Sequence, residues 1–209
     1  MTPSRLPAAE RRAAVLDCAC RVFSDGSYRG TTTAEIAKEA GVTEPILYRH
    51  FESKRALYLA CFEECWGRVR AMWEEAIAGE SDPGLWVGAM GRSFLESAEH
   101  RPVISNLWVQ ALAEASEDDE IRRYLRDHMR EVHQFVADVI RRAQAAHGIP
   151  KDRDADAEAW IFLAIGLLSM ADRVLEGLSA QWPEIVGSRR RWLTGKDLSS
   201  REKKSFTLR

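Results

Sequence analysis

Apolar residues recur at the three- and four-residue spacing of an α-helix in nearly every periodic segment of this 209-residue chain. One such stripe runs from Ala13 to Phe23 and is interrupted by Asp25-Gly26. No segment alternates convincingly between apolar and polar residues as a half-buried strand does. The pattern therefore predicts an all-α protein of about nine helices.

The composition restricts the class of protein further. With 45% hydrophobic and 30% charged residues, the chain can bury a core, and disorder is not expected. No apolar run approaches the roughly 20 residues of a bilayer-spanning helix, and residues 1–12 are too polar for a signal peptide. The four cysteines are too few for a disulfide scaffold and are expected to pack as small core residues. We therefore expect a cytoplasmic protein without a membrane partner.

The segment with the most specific pattern is residues 32–54, which is predicted to form a helix, a tight turn and a short helix. Thr32 and Glu35 have the spacing of a capping box, in which each side chain satisfies the other residue's backbone amide. Gly41 stands where a helix end needs a left-handed residue, and Thr43 can cap the next helix. A helix-turn-helix places its second helix in the major groove of DNA. The segment indicates DNA binding, although any two short helices joined by a glycine share its general pattern.

An ordered set of residues between about 8 and 59 makes the pattern much more specific. Its members are Phe23, Gly26, Tyr28, Gly30, Thr31-Thr32, Ile36-Ala37, Ala40-Gly41-Val42, Leu47-Tyr48-Arg49-His50-Phe51, Ser53-Lys54 and Leu57. In these residues the chain resembles the TetR family of bacterial transcriptional regulators. The rest of the chain resembles that family only in length and helix pattern. The resemblance implies an N-terminal three-helix DNA-binding domain followed by a helical domain for ligand binding and dimerisation.

The resemblance also implies phosphate contacts, which position a protein on DNA without selecting its sequence. Thr33 matches a contact made through its hydroxyl and the adjacent helix N-terminal amides. Tyr48 and Lys54 match positions that hold phosphates. His50 matches a position that approaches the DNA backbone, with a packing role as the alternative.

Base reading is expected at the start of the third helix. The candidates are Thr43, Glu44, Pro45, Ile46 and Arg49. Glu44 either accepts from a cytosine amino group or only favours the positive end of the helix. Ile46 either packs inside or touches a thymine methyl group, and contact is favoured because Leu47 is the better core residue. Arg49 can bind guanine or a phosphate.

The C-terminal part is rich in large apolar side chains, which serve a packed core as well as a ligand pocket. The residues expected to contact a ligand are Trp66, Phe94, Asn106, Trp108, Gln110, His128, Met129 and Phe162. The implied ligand is a small hydrophobic or aromatic effector. No cofactor or metal is expected: His128 and His133 are five residues apart, and neither HExxH nor CxxC occurs. No enzyme motif was found either.

The expected domains are a DNA-binding domain at 1–56, an effector and dimerisation domain at 57–188 and a basic tail at 189–209. The resemblance implies a homodimer through the eighth and ninth helices, which would bind a near-palindromic operator and be released by the effector. A repressor is the favoured interpretation. The alternatives are a chromosome-organising protein of the same fold without an effector, and an all-helical carrier or enzyme.

The net charge of −2 is an average over three unlike segments. Residues 1–56 carry 9 basic and 7 acidic side chains, residues 57–188 carry 13 and 23, and residues 189–209 carry 8 and 2. A mildly basic N-terminal segment is compatible with DNA binding even though the chain as a whole is slightly acidic. The basic tail is either a solvated end or an additional DNA or dimer contact.

Overall fold

The computed structural model describes residues 7–100, 103–175 and 181–196. In these ranges the chain is all-α, as predicted, with nine α-helices and one 3-10 turn at Pro83–Leu85. The helices are α1 (Ala8–Asp25), α2 (Thr33–Glu39), α3 (Glu44–Tyr48), α4 (Lys54–Ala78), α5 (Trp86–His100), α6 (Val103–Glu114), α7 (Asp119–Ala145), α8 (Ala155–Leu175) and α9 (Trp182–Thr194).

The chain divides into two compact units that do not follow a single cut in the sequence. The first unit comprises residues 1–70 and 98–126, and the second comprises residues 71–97 and 127–209. Helices α4, α5 and α7 therefore each contribute residues to both units. The domain limits 1–56, 57–188 and 189–209 stay a prediction. Residues 189–194 belong to α9, and the part of the basic tail at 197–209 lies outside the described residues.

The core of the first unit is aromatic and joins α1 to α4. The Tyr58 ring lies 4.9 Å from that of Phe23, 4.7 Å from that of Tyr28 and 5.2 Å from that of Phe62, measured between centroids. Phe62 also lies 5.9 Å from Trp108 of α6. All four cysteines are buried in this unit, as expected for small core residues. This packing joins α1, α4 and α6 through one aromatic core.

The second unit has its own aromatic core. The Trp73 ring lies 5.9 Å from Phe135 and 5.6 Å from Phe162, so α4, α7 and α8 meet around it. Helix α8 also carries three large apolar residues that are exposed, namely Trp160, Leu168 and Leu175. Among the described residues, no helix combines the length and apolar character needed to cross a membrane.

Candidate DNA-binding site

The turn between α2 and α3 has the geometry that the sequence predicts. The Thr32 hydroxyl accepts from the Glu35 amide at 3.2 Å, and the Glu35 carboxylate accepts from the Thr32 amide at 2.8 Å, which completes the capping box. Gly41 has φ +66°, a left-handed conformation that favours glycine. Thr43 precedes α3 at the N-cap position, but its side chain makes no capping hydrogen bond, contrary to the expectation. The Thr43 hydroxyl is therefore not used by the start of α3.

The start of α3 presents its side chains unevenly. Thr43, Pro45 and Arg49 are exposed, whereas Glu44, Ile46, His50 and Lys54 are half-buried. Leu47 is completely buried and anchors α3 to the core, as expected. Three of the five candidate base-reading residues are thus exposed to solvent, and their role stays a prediction.

Thr33 is buried, with 7% of its surface exposed, and its hydroxyl already has partners. It forms a hydrogen bond with the Glu44 carboxylate and lies 3.0 Å from the Tyr48 hydroxyl. These three side chains connect α2 to α3. Sequence reasoning missed this cluster because the residues are 11 and 15 positions apart, and their meeting depends on the angle between two helices.

Lys54, the first residue of α4, lies at the edge of the aromatic core. The Ser53 hydroxyl accepts from the Ala56 amide at 3.0 Å, so Ser53 caps α4. The Lys54 ammonium lies 4.6 Å from the centroid of the Tyr28 ring, a cation–π contact. Partial burial lowers the pKa of Lys54, and the carboxylates of Glu114 and Glu35 oppose that shift. The contact with Tyr28 holds the predicted phosphate-binding cation in one place.

Two arginines fasten the N-terminal helices to the acidic end of α6 and the start of α7 within the first unit. The Arg29 guanidinium donates to Glu114 at 3.2 Å and also to Glu117. The Arg55 guanidinium donates to Asp118 at 2.8 Å and to Glu120 at 2.7 Å. Sequence reasoning missed these ion pairs, because Arg29 and Glu114 are 85 positions apart and Arg55 and Asp118 are 63 apart. The Asp118 carboxylate also accepts hydrogen bonds from the Glu120 and Ile121 amides at the start of α7.

The eight residues expected to bind an effector divide between the two units. Trp66, Asn106, Trp108 and Gln110 belong to the first unit, and Phe94, His128, Met129 and Phe162 belong to the second. Gln110 donates its side-chain amide to the Ser24 carbonyl at 3.0 Å, which is a structural use of that group. Phe162 packs against Trp73 in the aromatic core.

A surface concavity of about 470 Å³ occurs elsewhere in the second unit. Its lining residues are Gln144, His147, Gly148, Ile149, Pro150, Lys151, Thr194 and Lys196, and none of them is among the eight candidates. The effector contacts therefore stay a prediction.

The geometry of α2, α3 and α4 agrees with what family comparisons find. Residues 15–61 match the domain of bacterial regulatory proteins of the tetR family. Residues 83–166 match the C-terminal domain of the BetI-type transcriptional repressors. The two matches together span both units of the chain.

Individual relatives give the same result. The HTH-type transcriptional activator FasR of Mycolicibacterium smegmatis is 36% identical over 97 residues, which cover 46% of this chain and 44% of that protein. The matched stretch is thus less than half of that relative's length.

Solved structures show the same fold. A TetR-family regulator from Agrobacterium tumefaciens superposes with a TM-score of 0.75 and 20% identity, over 90% of this chain and 100% of that one. FadR of Bacillus subtilis, solved in complex with stearoyl-CoA, has a TM-score of 0.71 and 15% identity over 87% and 97%.

Proposed function

We propose that this chain, whose residues 15–61 match the tetR family of bacterial regulatory proteins, is a ligand-responsive transcriptional regulator that binds a near-palindromic operator as a homodimer. The observation that carries this proposal is the presentation of α3. Gly41 and buried Leu47 fix the short helix, while Thr43, Pro45 and Arg49 stand exposed at its two ends. A helix presented in this way fits the major groove.

Phosphate contacts around α3 are proposed for Tyr48 and Lys54, with His50 beside them. Tyr48 keeps 44% of its surface exposed. The Lys54 ammonium lies against the Tyr28 ring and brings a positive charge close to the C-terminal end of α3. Contacts of this kind set the position and orientation of the protein on DNA.

The proposed dimer uses α8 and α9. Trp160 and Leu168 of α8 are 46% and 42% exposed, and Leu175 at its end is 66% exposed. Trp192 of α9 is 53% exposed. Exposed large apolar side chains concentrated on two helices are typical of a surface that a second copy covers. A two-fold dimer would present its recognition helices to major grooves about 34 Å apart.

The proposed effector is a small hydrophobic or aromatic molecule. The support is the aromatic character of the second unit, in which Trp73, Phe135 and Phe162 lie together. FadR of Bacillus subtilis, with the same fold, holds an acyl-CoA. Helix α4 begins at Lys54 and continues to Ala78 in the second unit, so an effector that tilts α4 would displace the reading segment. An allosteric coupling of about 1–3 kcal/mol would weaken operator binding roughly 5- to 150-fold.

Repression is the proposed outcome of binding, supported by the match of residues 83–166 to a repressor C-terminal domain. The protein would act in the bacterial cytoplasm, where its operator lies. Catalysis is not part of the proposal, since the matched family consists of regulatory proteins.

The proposal is tested by footprinting the purified protein on DNA upstream of its own gene and of neighbouring genes. The expected result is a protected near-palindrome that disappears when a cell extract supplies the effector. A Lys54→Ala variant serves as the control, since it should protect the same site only at higher concentration. Failure to protect any upstream DNA would contradict DNA-binding regulation, and protection unaffected by every extract would contradict effector control.

A further inference from the structure

The hydrogen-bond directions around Thr33 can be assigned from chemistry alone. An ionised carboxylate can only accept hydrogen bonds, and a threonine hydroxyl has one proton to donate. Thr33 therefore donates to Glu44, and the Tyr48 hydroxyl, 3.0 Å away, is then the donor to Thr33. Both hydroxyl protons are committed inside the protein.

This arrangement conflicts with phosphate binding by the same residues. A phosphate oxygen also only accepts, so Thr33 and Tyr48 cannot donate to it while Glu44 holds the chain of hydrogen bonds. The Glu44 charge also repels a phosphate that approaches this pair. In the free protein, the Glu44 carboxylate thus takes the acceptor position that a phosphate bound to these hydroxyls would need.

We propose that Glu44 is a specificity-determining residue that competes with the DNA phosphate for Thr33 and Tyr48 and releases them only on the correct sequence. Glu44 is the first residue of α3, where a side chain of a recognition helix reaches base edges. The cytosine amino group in the major groove is the base donor that a carboxylate accepts from. On a site with cytosine at the facing position, Glu44 turns to the base, and both hydroxyl protons become available to phosphate.

On other sequences Glu44 has no base partner and remains on Thr33. The base contact and the two phosphate contacts are then lost together. A single side chain therefore enlarges the difference in binding affinity between the operator and other DNA sequences. This inference rests on the proposed function, because it requires that α3 enters the major groove.

The test compares full-length wild type with Glu44→Gln and Glu44→Ala on two labelled duplexes, the footprinted operator and a scrambled duplex of equal length. Fluorescence anisotropy is measured at several salt concentrations. Glu39→Gln is the matched control, since it removes one negative charge from an exposed position on α2. Circular dichroism verifies that each variant is folded.

Both Glu44 variants are expected to bind the scrambled duplex about tenfold more tightly than wild type, since hydrogen bonds to a charged acceptor are the stronger ones. Their ratio of operator to scrambled affinity should fall correspondingly. The slope of log affinity against log salt on the scrambled duplex should stay close to that of Glu39→Gln, since the recovered phosphate contacts come from neutral hydroxyls, which release no counterions. Glu39→Gln should change affinity for both duplexes alike and leave the ratio unchanged.

Two further measurements examine the partners of Glu44. Thr33→Val, which removes the hydroxyl at similar volume, should cancel much of the gain when combined with Glu44→Gln. Replacement of one C·G pair in each half-site should cost wild type about tenfold in affinity and cost Glu44→Gln little.

The outcomes separate the two proposals. If wild type binds no duplex specifically, the proposed function fails, and the role of Glu44 fails with it. If wild type binds its operator but Glu44→Gln gains no more on scrambled DNA than Glu39→Gln does, the competition is refuted while the proposed function stands. An operator in which no C·G pair distinguishes wild type from Glu44→Gln refutes the cytosine contact.

Discussion

Tyr48 lies between solvent and the protein interior: 44% of its surface is exposed, and its hydroxyl lies 3.0 Å from the hydroxyl of buried Thr33. Lys54 is similar, since its ammonium rests on the Tyr28 ring at the edge of the core. Both side chains are held by the first unit before any ligand arrives. Lys54 therefore loses little side-chain entropy on binding a phosphate, whereas the Tyr48 hydroxyl can donate to one only after Glu44 releases Thr33.

Lys54 and Arg49 are predicted to differ in what they contribute to DNA binding. Lys54→Ala should weaken binding to every duplex to a similar degree and reduce the slope of log affinity against log salt by about one unit. Arg49→Ala should also change the preference among sequences, by about 1–3 kcal/mol at one base pair if Arg49 reads guanine. Titrations of both variants on the operator and on single-base variants would measure this. An unchanged affinity of Lys54→Ala for all duplexes at moderate salt would falsify the phosphate assignment.

The sequence predicts single residues well where a role depends on neighbours in the chain. The Thr32–Glu35 capping box and the left-handed Gly41 are of this kind, and both are confirmed. The Glu44–Thr33 bond and the Arg29–Glu114 ion pair were missed, because their partners are 11 and 85 positions apart. Such contacts depend on helix packing, which periodicity does not specify.

The turn between α2 and α3 depends on Gly41. Gly41 has φ +66°. In this left-handed backbone conformation the Cβ of an alanine comes too close to the following carbonyl oxygen, which costs about 1–2 kcal/mol. Gly41→Ala should therefore lower the free energy of unfolding by that amount, or the Tm by roughly 3 °C per kcal/mol.

Gly67 of α4 provides the matched control for Gly41. It is exposed, lies inside a helix and has no neighbour within 4 Å of an added Cβ. Gly67→Ala should stabilise the protein by about 1 kcal/mol, since alanine favours the helix. Thermal unfolding of both variants measures the two effects, and equal shifts in the same direction would contradict the role given to Gly41.

The stability of the protein is predicted to depend on pH through Asp118, the residue that precedes α7. Hydrogen bonds from the Ile121 and Glu120 amides and from Arg55 hold the pKa of Asp118 below its ordinary value, against the effect of burial. A carboxyl whose pKa is lowered by folding stabilises the protein above its unfolded pKa of about 4 and loses that contribution as the pH falls through its folded pKa.

Asp118→Asn tests this contribution because asparagine still caps a helix but cannot carry the charge. The variant should be less stable than wild type at pH 7, and the difference should fade below about pH 4. Urea unfolding at a series of pH values measures it. A difference that persists unchanged into acid would show that Asp118 acts by shape and not by charge.

The helical class, the capping box of α2 and the glycine after it were predictable because caps and periodicity are local. The cap of α3 was predicted wrongly, since the Thr43 hydroxyl makes no capping hydrogen bond. Residues 189–194, assigned to a tail because they are basic, continue α9. Charge alone does not distinguish the last turns of a helix from a solvated end.

At the scale of the whole molecule, the proposed dimer predicts a sharp effect of one leucine. Leu168→Glu should weaken dimerisation by about 3 kcal/mol or more, since two symmetry-related side chains would each lose their burial. Operator affinity should fall with it. Leu112→Glu is the control, because Leu112 of α6 is 53% exposed and lies outside α8 and α9. Sedimentation equilibrium of the two variants measures the change, and equal dissociation of both would exclude α8 as the interface.

The grouping of residues 98–126 with the first 70 residues governs how such regulators can recombine. Ser24, Arg29 and Arg55 are held by Gln110, Glu114 and Asp118, respectively, from a stretch that follows much later in the chain. A graft that exchanges only residues 1–70 between two relatives replaces one partner of each contact. The other partner, in residues 98–126, stays that of the recipient protein. We therefore expect a chimera that keeps all three contacts to require two donor segments, residues 1–70 and 98–126.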